Sequence, residues 1–232
     1  MRERPILFNG AMVRAILSGT KSQTRRVVKM PPGFDFIGGS GDDLNDPANW
    51  GAEDEDARWW ALAAGPGTDH VLPCPFGKPG DRLWVRETWM DLTGTGVEHY
   101  DMETGKRTRY AYGAESPKGS ASDEARKDFG LKWRPSIHMP RKACRLVLDI
   151  TDVRVERLHA ISEADALAEG AMEWAGEQNT PIRDLNTGDE RIAFKALWRS
   201  TGGDWDANPW VWVIGFKVVD QHAKAEVGNG GS

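Results

Sequence analysis

Cysteine is scarce in this chain of 232 residues, in which Cys74 and Cys144 are the only two. Two cysteines exclude a disulfide scaffold and make no metal framework. His70 lies four residues before Cys74, but these two ligands fall short of the four that a structural zinc site uses. The sequence also lacks a glycine-rich phosphate loop, a Gly-x-Ser-x-Gly elbow and a Rossmann signature. We therefore expect no metal and no cofactor.

Long hydrophobic runs are missing as well. No stretch of about eighteen apolar residues occurs, so the sequence predicts no membrane-spanning segment. Residues 1–8 lack the long apolar segment of a secretory signal peptide. These two features predict a cytoplasmic protein without a membrane partner.

An overall positive charge is absent, because 30 lysines and arginines face 35 aspartates and glutamates and leave a net charge of −5. This balance argues against the general basic surface that binds nucleic acid non-specifically. The charge is uneven along the chain, since basic residues gather at 21–29 and 132–145 and acidic residues at 42–56. Such a distribution is compatible with a basic cleft on an acidic protein.

Helix and strand patterns follow each other without regular βαβ alternation. Helical spacing or caps predict helices at 10–18, 162–169 and 189–198. Strands are predicted at 5–8, 82–89, 110–112, 145–155 and 210–219, and a strand or a turn at 59–64. The apolar alternation changes phase between Ile150 and Val153, which predicts a β-bulge. The expected fold class is α+β with an antiparallel or mixed barrel.

The octet Gly-Thr-Lys-Ser-Gln-Thr-Arg-Arg at residues 19–26 concentrates reactive groups on a segment predicted to form a turn or a second helix. A lysine close to a threonine is suited to activating the hydroxyl or binding an anion. Arg25 and Arg26 add planar forks that match phosphate or carboxylate. A plainer interpretation is a positively charged helix end that runs into a loop.

The strand predicted at 82–89 carries a carboxylate on its apolar face. Leu83, Val85 and Glu87 share one side of the alternating pattern. A carboxylate that points into a core needs a partner, for which Lys21 and Arg26 are the candidates. The alternative is an exposed glutamate at the end of the strand.

Three segments, in this order, resemble the signatures of the ASCH domain, a branch of the PUA-like superfamily. The first is the octet at 19–26, with the pattern Gly-x-Lys-x-x-Thr-x-Arg. The second, at 77–89, is a Pro-Gly-Asp turn that leads into the strand with Glu87. The third is the tryptophan-rich segment at 205–213, similar to the ending of phage and prophage members.

The resemblance implies a single PUA-like domain over residues 1–222, a mixed β-barrel with short flanking helices. The chain is about twice as long as the small bacterial members, which places insertions near 31–73 and 91–130. Residues 31–56 are rich in Gly, Pro and Asp and show no helical or strand periodicity, so they are predicted to form an irregular surface insertion. The tail at 223–232 is predicted to be disordered.

Small bacterial ASCH proteins include amidohydrolases that remove the acyl group from N4-acetylcytidine with a Lys, a Thr and a Glu. The resemblance carries these roles to Lys21, Thr24 and Glu87. The hypothesis makes Thr24 the nucleophile, Lys21 the general base and Glu87 the group that positions them or handles the proton of the leaving amine. Residues expected to bind the modified nucleoside are Arg25, Arg26, Trp84, Arg86, Trp89 and Tyr112.

Other functions remain open at this point. PUA-like barrels commonly bind RNA, so one alternative is a module that binds RNA or a modified nucleotide without catalysis. Another is a ribonuclease that uses Lys21, His138 and Glu87 as acid and base. A phage structural role is a further alternative, although the sequence shows no coiled coil or repeat.

Overall fold

The computed structural model describes residues 1–39, 43–96, 99–100, 107–178 and 190–219. Within these residues the strands are β1 (Glu3–Leu7), β2 (Gln23–Val27), β3 (Phe34–Ile37), β4 (Gly51–Asp54), β5 (Trp59–Ala61), β6 (Arg82–Arg86), β7 (Trp89–Asp91), β8 (His99–Tyr100), β9 (Arg107–Thr108), β10 (Tyr110–Tyr112), β11 (Val147–Arg157) and β12 (Trp210–Val218). The helices are α1 (Gly10–Leu17), α2 (Ala121–Asp128), α3 (Glu163–Ala168), α4 (Ala171–Gly176) and α5 (Glu190–Ser200). The tail predicted to be disordered lies outside the described residues.

The main sheet has five strands in the order β1-β6-β11-β12-β2. β1 and β6 run parallel, and the other neighbours are antiparallel. The two edge strands approach each other, because Nη2 of Arg26 on β2 donates to the carbonyl oxygen of Leu7 on β1 at 2.7 Å. The α+β class is confirmed, but the sheet is curved and open: the described strands do not form a closed barrel.

Residues after the first helix form a strand, so the prediction of a turn or helix there was wrong. Asn9 caps α1 through the backbone N–H of Met12, and Gly19 follows the helix with φ of 80°, as the sequence predicts. The chain then pairs with β12 in the register Gly215↔Gln23 to Val211↔Val27. Sheet pairing with a distant strand outweighs the local helical tendency of the octet.

The predicted bulge in the long strand is confirmed, since the register of β11 against β12 shifts between Ile150 and Asp152. The cap of α3 by Ser162 is confirmed too, and the helix stops before Gly170. Gly170 has φ of 71°, and a Cβ there would stand 2.9 Å from the Cβ of Ala15. Only glycine allows α3 and α1 to approach this closely. α4 begins directly after Gly170 and was not predicted.

Two apolar cores flank the main sheet. One lies inside its curvature and contains Val13, Leu83, Leu148 and Ile214, each at most 1% exposed. The other lies between the sheet and α3, α4 and α5, around Phe194 and Leu197. The short helices therefore cover one face of the sheet and fix the position of β2 between the two cores.

The region of the first expected insertion contains a small antiparallel sheet of β3, β4 and β5 rather than irregular structure. It contacts the main body through Trp50, whose ring meets Trp210 edge-on at 5.8 Å. The guanidinium of Arg157 lies over both rings, at 4.7 and 4.2 Å from their centroids. β10 and α2 lie in the second expected insertion, and β7 ends where it begins. No described helix combines the length and apolar character needed to cross a bilayer.

The core inside the sheet should control stability. Leu148 is fully buried and pairs in register with Leu83 on β6 and Val218 on β12. We expect Leu148→Ala to lower the free energy of unfolding by about 2–5 kcal/mol, because it leaves a cavity. Leu167→Ala on α3 is the matched control, since Leu167 is 46% exposed and should change stability by about 0.5 kcal/mol or less. Urea denaturation measures both, and equal losses would contradict this assignment of the core.

Candidate functional site

A cavity of about 500 Å³ lies along β2. This volume falls in the range of about 300–1,000 Å³ that is common for small-molecule sites. Its polar wall comes from β2 and the end of α3, and its apolar wall comes mainly from α5 and the loop at 75–76. The lining residues are Met12, Thr24, Arg25, Arg26, Val27, Lys29, Pro75, Phe76, Glu169, Phe194, Leu197, Trp198, Thr201, Gly202 and Gly203.

Lys21 is buried beside this cavity, with 2% of its surface exposed. Its Nζ donates to the carbonyl oxygens of Gln23 and Glu169, each at 2.8 Å, and to Oε2 of Glu169 at 2.9 Å. Three acceptors match the three N–H groups of an ammonium. Burial nevertheless lowers the pKa of Lys21, while Glu169 opposes this shift and the positive charges of Arg26 and Arg25 add to it.

Glu169 is the residue that the sequence analysis missed. It ends α3, is 3% exposed, and binds Lys21 through Oε2 and Arg25 through Oε1 at 3.2 Å. The backbone also links the two segments through an isolated β-bridge between Lys21 and Glu169. The only signal in the sequence was that Glu169 directly precedes Gly170, the glycine that ends the helix. This position indicates a helix end, but it does not predict an ion pair with a residue 148 positions away in sequence.

Arg25 extends the network toward β11 and α3. Its side chain is fully buried, and Nη2 lies 3.1 Å from Glu156 and 3.2 Å from Asp165. Arg154 contacts the same two carboxylates at 2.5 and 3.1 Å. Acidic side chains thus surround arginines here, and the described part of the chain shows no cluster of His, Cys, Asp and Glu suited to a metal ion.

Thr24 and Arg26 lie on the opposite face of β2 from Arg25, as strand alternation requires. Thr24 is 3% exposed and lines the cavity, and within the described residues its hydroxyl has no hydrogen-bond partner. Oγ1 of Thr24 is not one of the fully buried side-chain atoms that lack a partner, so the oxygen keeps some exposed surface. The hydroxyl is therefore available to a molecule in the cavity.

The arginines at the cavity also hold unused donors. Nε of Arg25, Nε of Arg26 and Nε1 of Trp198 are buried without a hydrogen-bond partner. The guanidinium of Arg26 lies 5.4 Å from the ring centroid of Phe8, and burial lowers its pKa. Lys21 lies over the same ring at 5.6 Å. Such donors favour a ligand that is rich in acceptor atoms.

Glu87 lies elsewhere, with 1% of its surface exposed on the same side of the chain as Leu83 and Val85. The predicted burial is confirmed, but the expected partners, Lys21 or Arg26, were wrong. Arg145 is the partner, and its Nε and Nη2 donate to the two carboxylate oxygens at 2.9 and 3.2 Å. Burial raises the pKa of Glu87 although Arg145 acts against the shift. Among the described residues Glu87 makes no hydrogen bond or ion pair with Lys21 or Thr24.

The remaining candidate binding residues do not line the cavity, and some of them lie near Glu87. Trp89 is 4% exposed and packs between Tyr110 and the guanidinium of Arg134. Tyr112 donates from its hydroxyl to the carbonyl of Ala143 at 2.9 Å. Arg86 lies over the ring of Trp84 and donates a hydrogen bond to the carbonyl oxygen of Ile137. Neither Arg86 nor Trp84 lines the cavity.

Thr24, Arg25 and Arg26 line the cavity, Lys21 lies beside them, and Glu87 pairs with Arg145 without lining the cavity. His138, the ribonuclease candidate, is exposed in the turn at 136–138 and joins neither group. Comparison with known proteins finds no family model, no curated protein and no solved structure that matches this chain. The chemistry of the site therefore rests on its own geometry.

Replacing Glu169 should destabilise the fold, because two buried cations share its carboxylate. We expect Glu169→Gln to lower the free energy of unfolding by about 3–5 kcal/mol, because Lys21 and Arg25 lose their shared carboxylate. Glu163→Gln is the matched control, since Glu163 is exposed in the first turn of the same helix and contributes about 0.3–1 kcal/mol there. The measurement is urea denaturation at pH 7. A loss no larger than that of the control would show that the pair does not hold β2 on α3.

Proposed function

We propose that this protein is an amidohydrolase that removes an acyl group from the N4 amine of a modified cytidine, within a PUA-like domain of the ASCH type. The observation that carries the proposal is the unpartnered hydroxyl of Thr24 in the cavity, next to a buried lysine whose pKa is lowered. The resemblance at residues 19–26 supports the substrate class, and the curved sheet with short covering helices supports the fold family.

Lys21 lies beside the segment that carries Thr24. Its Nζ donates to the carbonyl oxygen of Gln23 at 2.8 Å, and this peptide group continues into Thr24. A lysine serves as a general base only when it is neutral, and burial favours the neutral form. The same two residues thus combine a nucleophile with its base.

The proposed reaction has two halves. Lys21 takes the hydroxyl proton of Thr24 while Oγ1 attacks the acyl carbon, which gives a tetrahedral intermediate. The bond from carbon to N4 then breaks, N4 receives the proton from Lys21, and cytidine leaves. Water attacks the threonine ester in the second half, which releases the carboxylic acid and restores the hydroxyl.

Glu169 takes the positioning role that the resemblance gives to Glu87. Its carboxylate holds Lys21 from one oxygen and Arg25 from the other, which fixes the lysine below β2. Glu87 is engaged in a separate ion pair with Arg145. The proposed catalytic set is therefore Lys21, Thr24 and Glu169.

One observation favours a second candidate, a module that binds a modified nucleotide without catalysis. The three N–H groups of a charged Lys21 are all satisfied in this structure, which is the arrangement of a structural ammonium. In that case the cavity and its free donors recognise the ligand and no bond breaks. Binding of N4-acetylcytidine without release of cytidine would distinguish this candidate.

The nucleophile can be tested by near-isosteric substitution. We expect Thr24→Val to lose turnover of N4-acetylcytidine by a factor of about 10² or more, whereas Thr24→Ser keeps a hydroxyl and retains measurable activity. Thr201→Val is the matched control, because Thr201 lines the same cavity and is exposed. Chromatographic release of cytidine is the measurement. Activity of Thr24→Val near that of wild type would rule out the nucleophile.

The pH dependence of turnover tests the base. Lys21 can act as a base only when it is unprotonated, so kcat should rise with pH to a plateau. The midpoint of this rise should lie below 10.5, the ordinary pKa of a lysine, because burial lowers the pKa of Lys21. Glu169→Gln should move this midpoint further down, because the carboxylate is the main group that raises the pKa. Circular dichroism at each pH confirms that the protein stays folded. A rate that falls over this range would mean that the charged lysine is required.

A further inference from the structure

The carboxylates around Glu169 are engaged by the cations of one ion network. Lys21, Arg25 and Arg154 pair with four carboxylates, Asp152, Glu156, Asp165 and Glu169, at 2.5–3.2 Å. Glu156, Asp165 and Glu169 each contact two of these cations. Among the described residues none of these carboxylates forms an ion pair with the other cations at the cavity.

Arg26 is one of these other cations. Within the described residues its guanidinium makes a single hydrogen bond, to the carbonyl of Leu7, and no ion pair. Its Nε is buried without a partner although the residue lines the cavity. The charge of Glu169 acts on Arg26 without an ion pair, and the unused donor of the guanidinium can bind an anionic ligand.

Lys29 is the second uncompensated cation. It lies three residues beyond Arg26, lines the same cavity, and is exposed without an ion-pair partner in the described part of the chain. The opposite wall carries apolar and aromatic side chains, among them Phe76 and Phe194. A ligand with an aromatic part and a charged end matches these two surfaces.

We infer that the cavity binds its ligand through a phosphate group held by Arg26 and Lys29, so that the ligand is a cytidine nucleotide rather than the nucleoside. This inference rests on the proposed function for the identity of the base. Arginine offers a planar fork that suits phosphate oxygens, and lysine adds a mobile charge at the rim. A free mononucleotide and a nucleotide within a strand share this chemistry.

Binding can be measured without turnover. Isothermal titration should show cytidine 5′-monophosphate binding at least about tenfold more tightly than cytidine, with weaker binding at higher salt. Inorganic phosphate should compete with the nucleotide. Arg26→Gln and Lys29→Gln should each remove most of this preference and leave the affinity for cytidine nearly unchanged.

Arg58→Gln is the control for general charge effects, since Arg58 is exposed, pairs with Asp56 and does not line the cavity. It should keep the full preference for the nucleotide. Lys29→Gln serves as the second variant because Lys29 is exposed and its change does not disturb the contact between Arg26 and Leu7. A short oligocytidylate that binds more tightly than the mononucleotide would identify a strand as the source of the phosphate.

The inference and the proposed function fail separately. Equal affinities for cytidine and its 5′-monophosphate would overturn the phosphate site, even if N4-acetylcytidine is hydrolysed. A strong preference for the monophosphate that depends on Arg26 and Lys29 would support the site, even if no acylated cytidine is hydrolysed. A preference unchanged in both variants would place the phosphate elsewhere and would overturn the inference.

Discussion

Glu169 binds two buried cations at once, and the position of the site depends on this contact. One carboxylate oxygen holds Lys21 and the other holds Arg25, while the backbone of the same residue accepts a further hydrogen bond from Lys21. The end of α3 is thereby joined to the edge strand β2 and to the segment that precedes it. Because buried charges must be paired, this junction tolerates few other side chains.

The charge distribution at the cavity follows from that junction. Arg25 points to α3 and is neutralised there, whereas alternation along β2 sends Thr24 and Arg26 to the opposite face. The cavity lies along β2 and is lined by Thr24, Arg25 and Arg26 together with an apolar wall from α5. These are the groups from which both the hydrolytic function and the phosphate site are proposed.

A second buried ion pair separates the two groups of residues that the sequence analysis had joined. Glu87 follows β6 and is satisfied by Arg145, whose guanidinium also lies 4.0 Å from the ring centroid of Tyr112. The carboxylate next to Lys21 comes from α3 instead. Two carboxylates with similar burial therefore have different partners, and residue type and strand alternation do not distinguish between them.

The sequence by itself determined the features that depend on neighbouring residues. Asn9 and Ser162 cap their helices, the alternation around Glu87 buries the carboxylate, and the phase change after Ile150 marks the bulge. Only the tertiary structure decided that residues 23–27 form a strand, because that strand exists through pairing with β12. It also decided which carboxylate holds Lys21, since pairs 58 and 148 residues apart in sequence are selected by packing and not by local pattern.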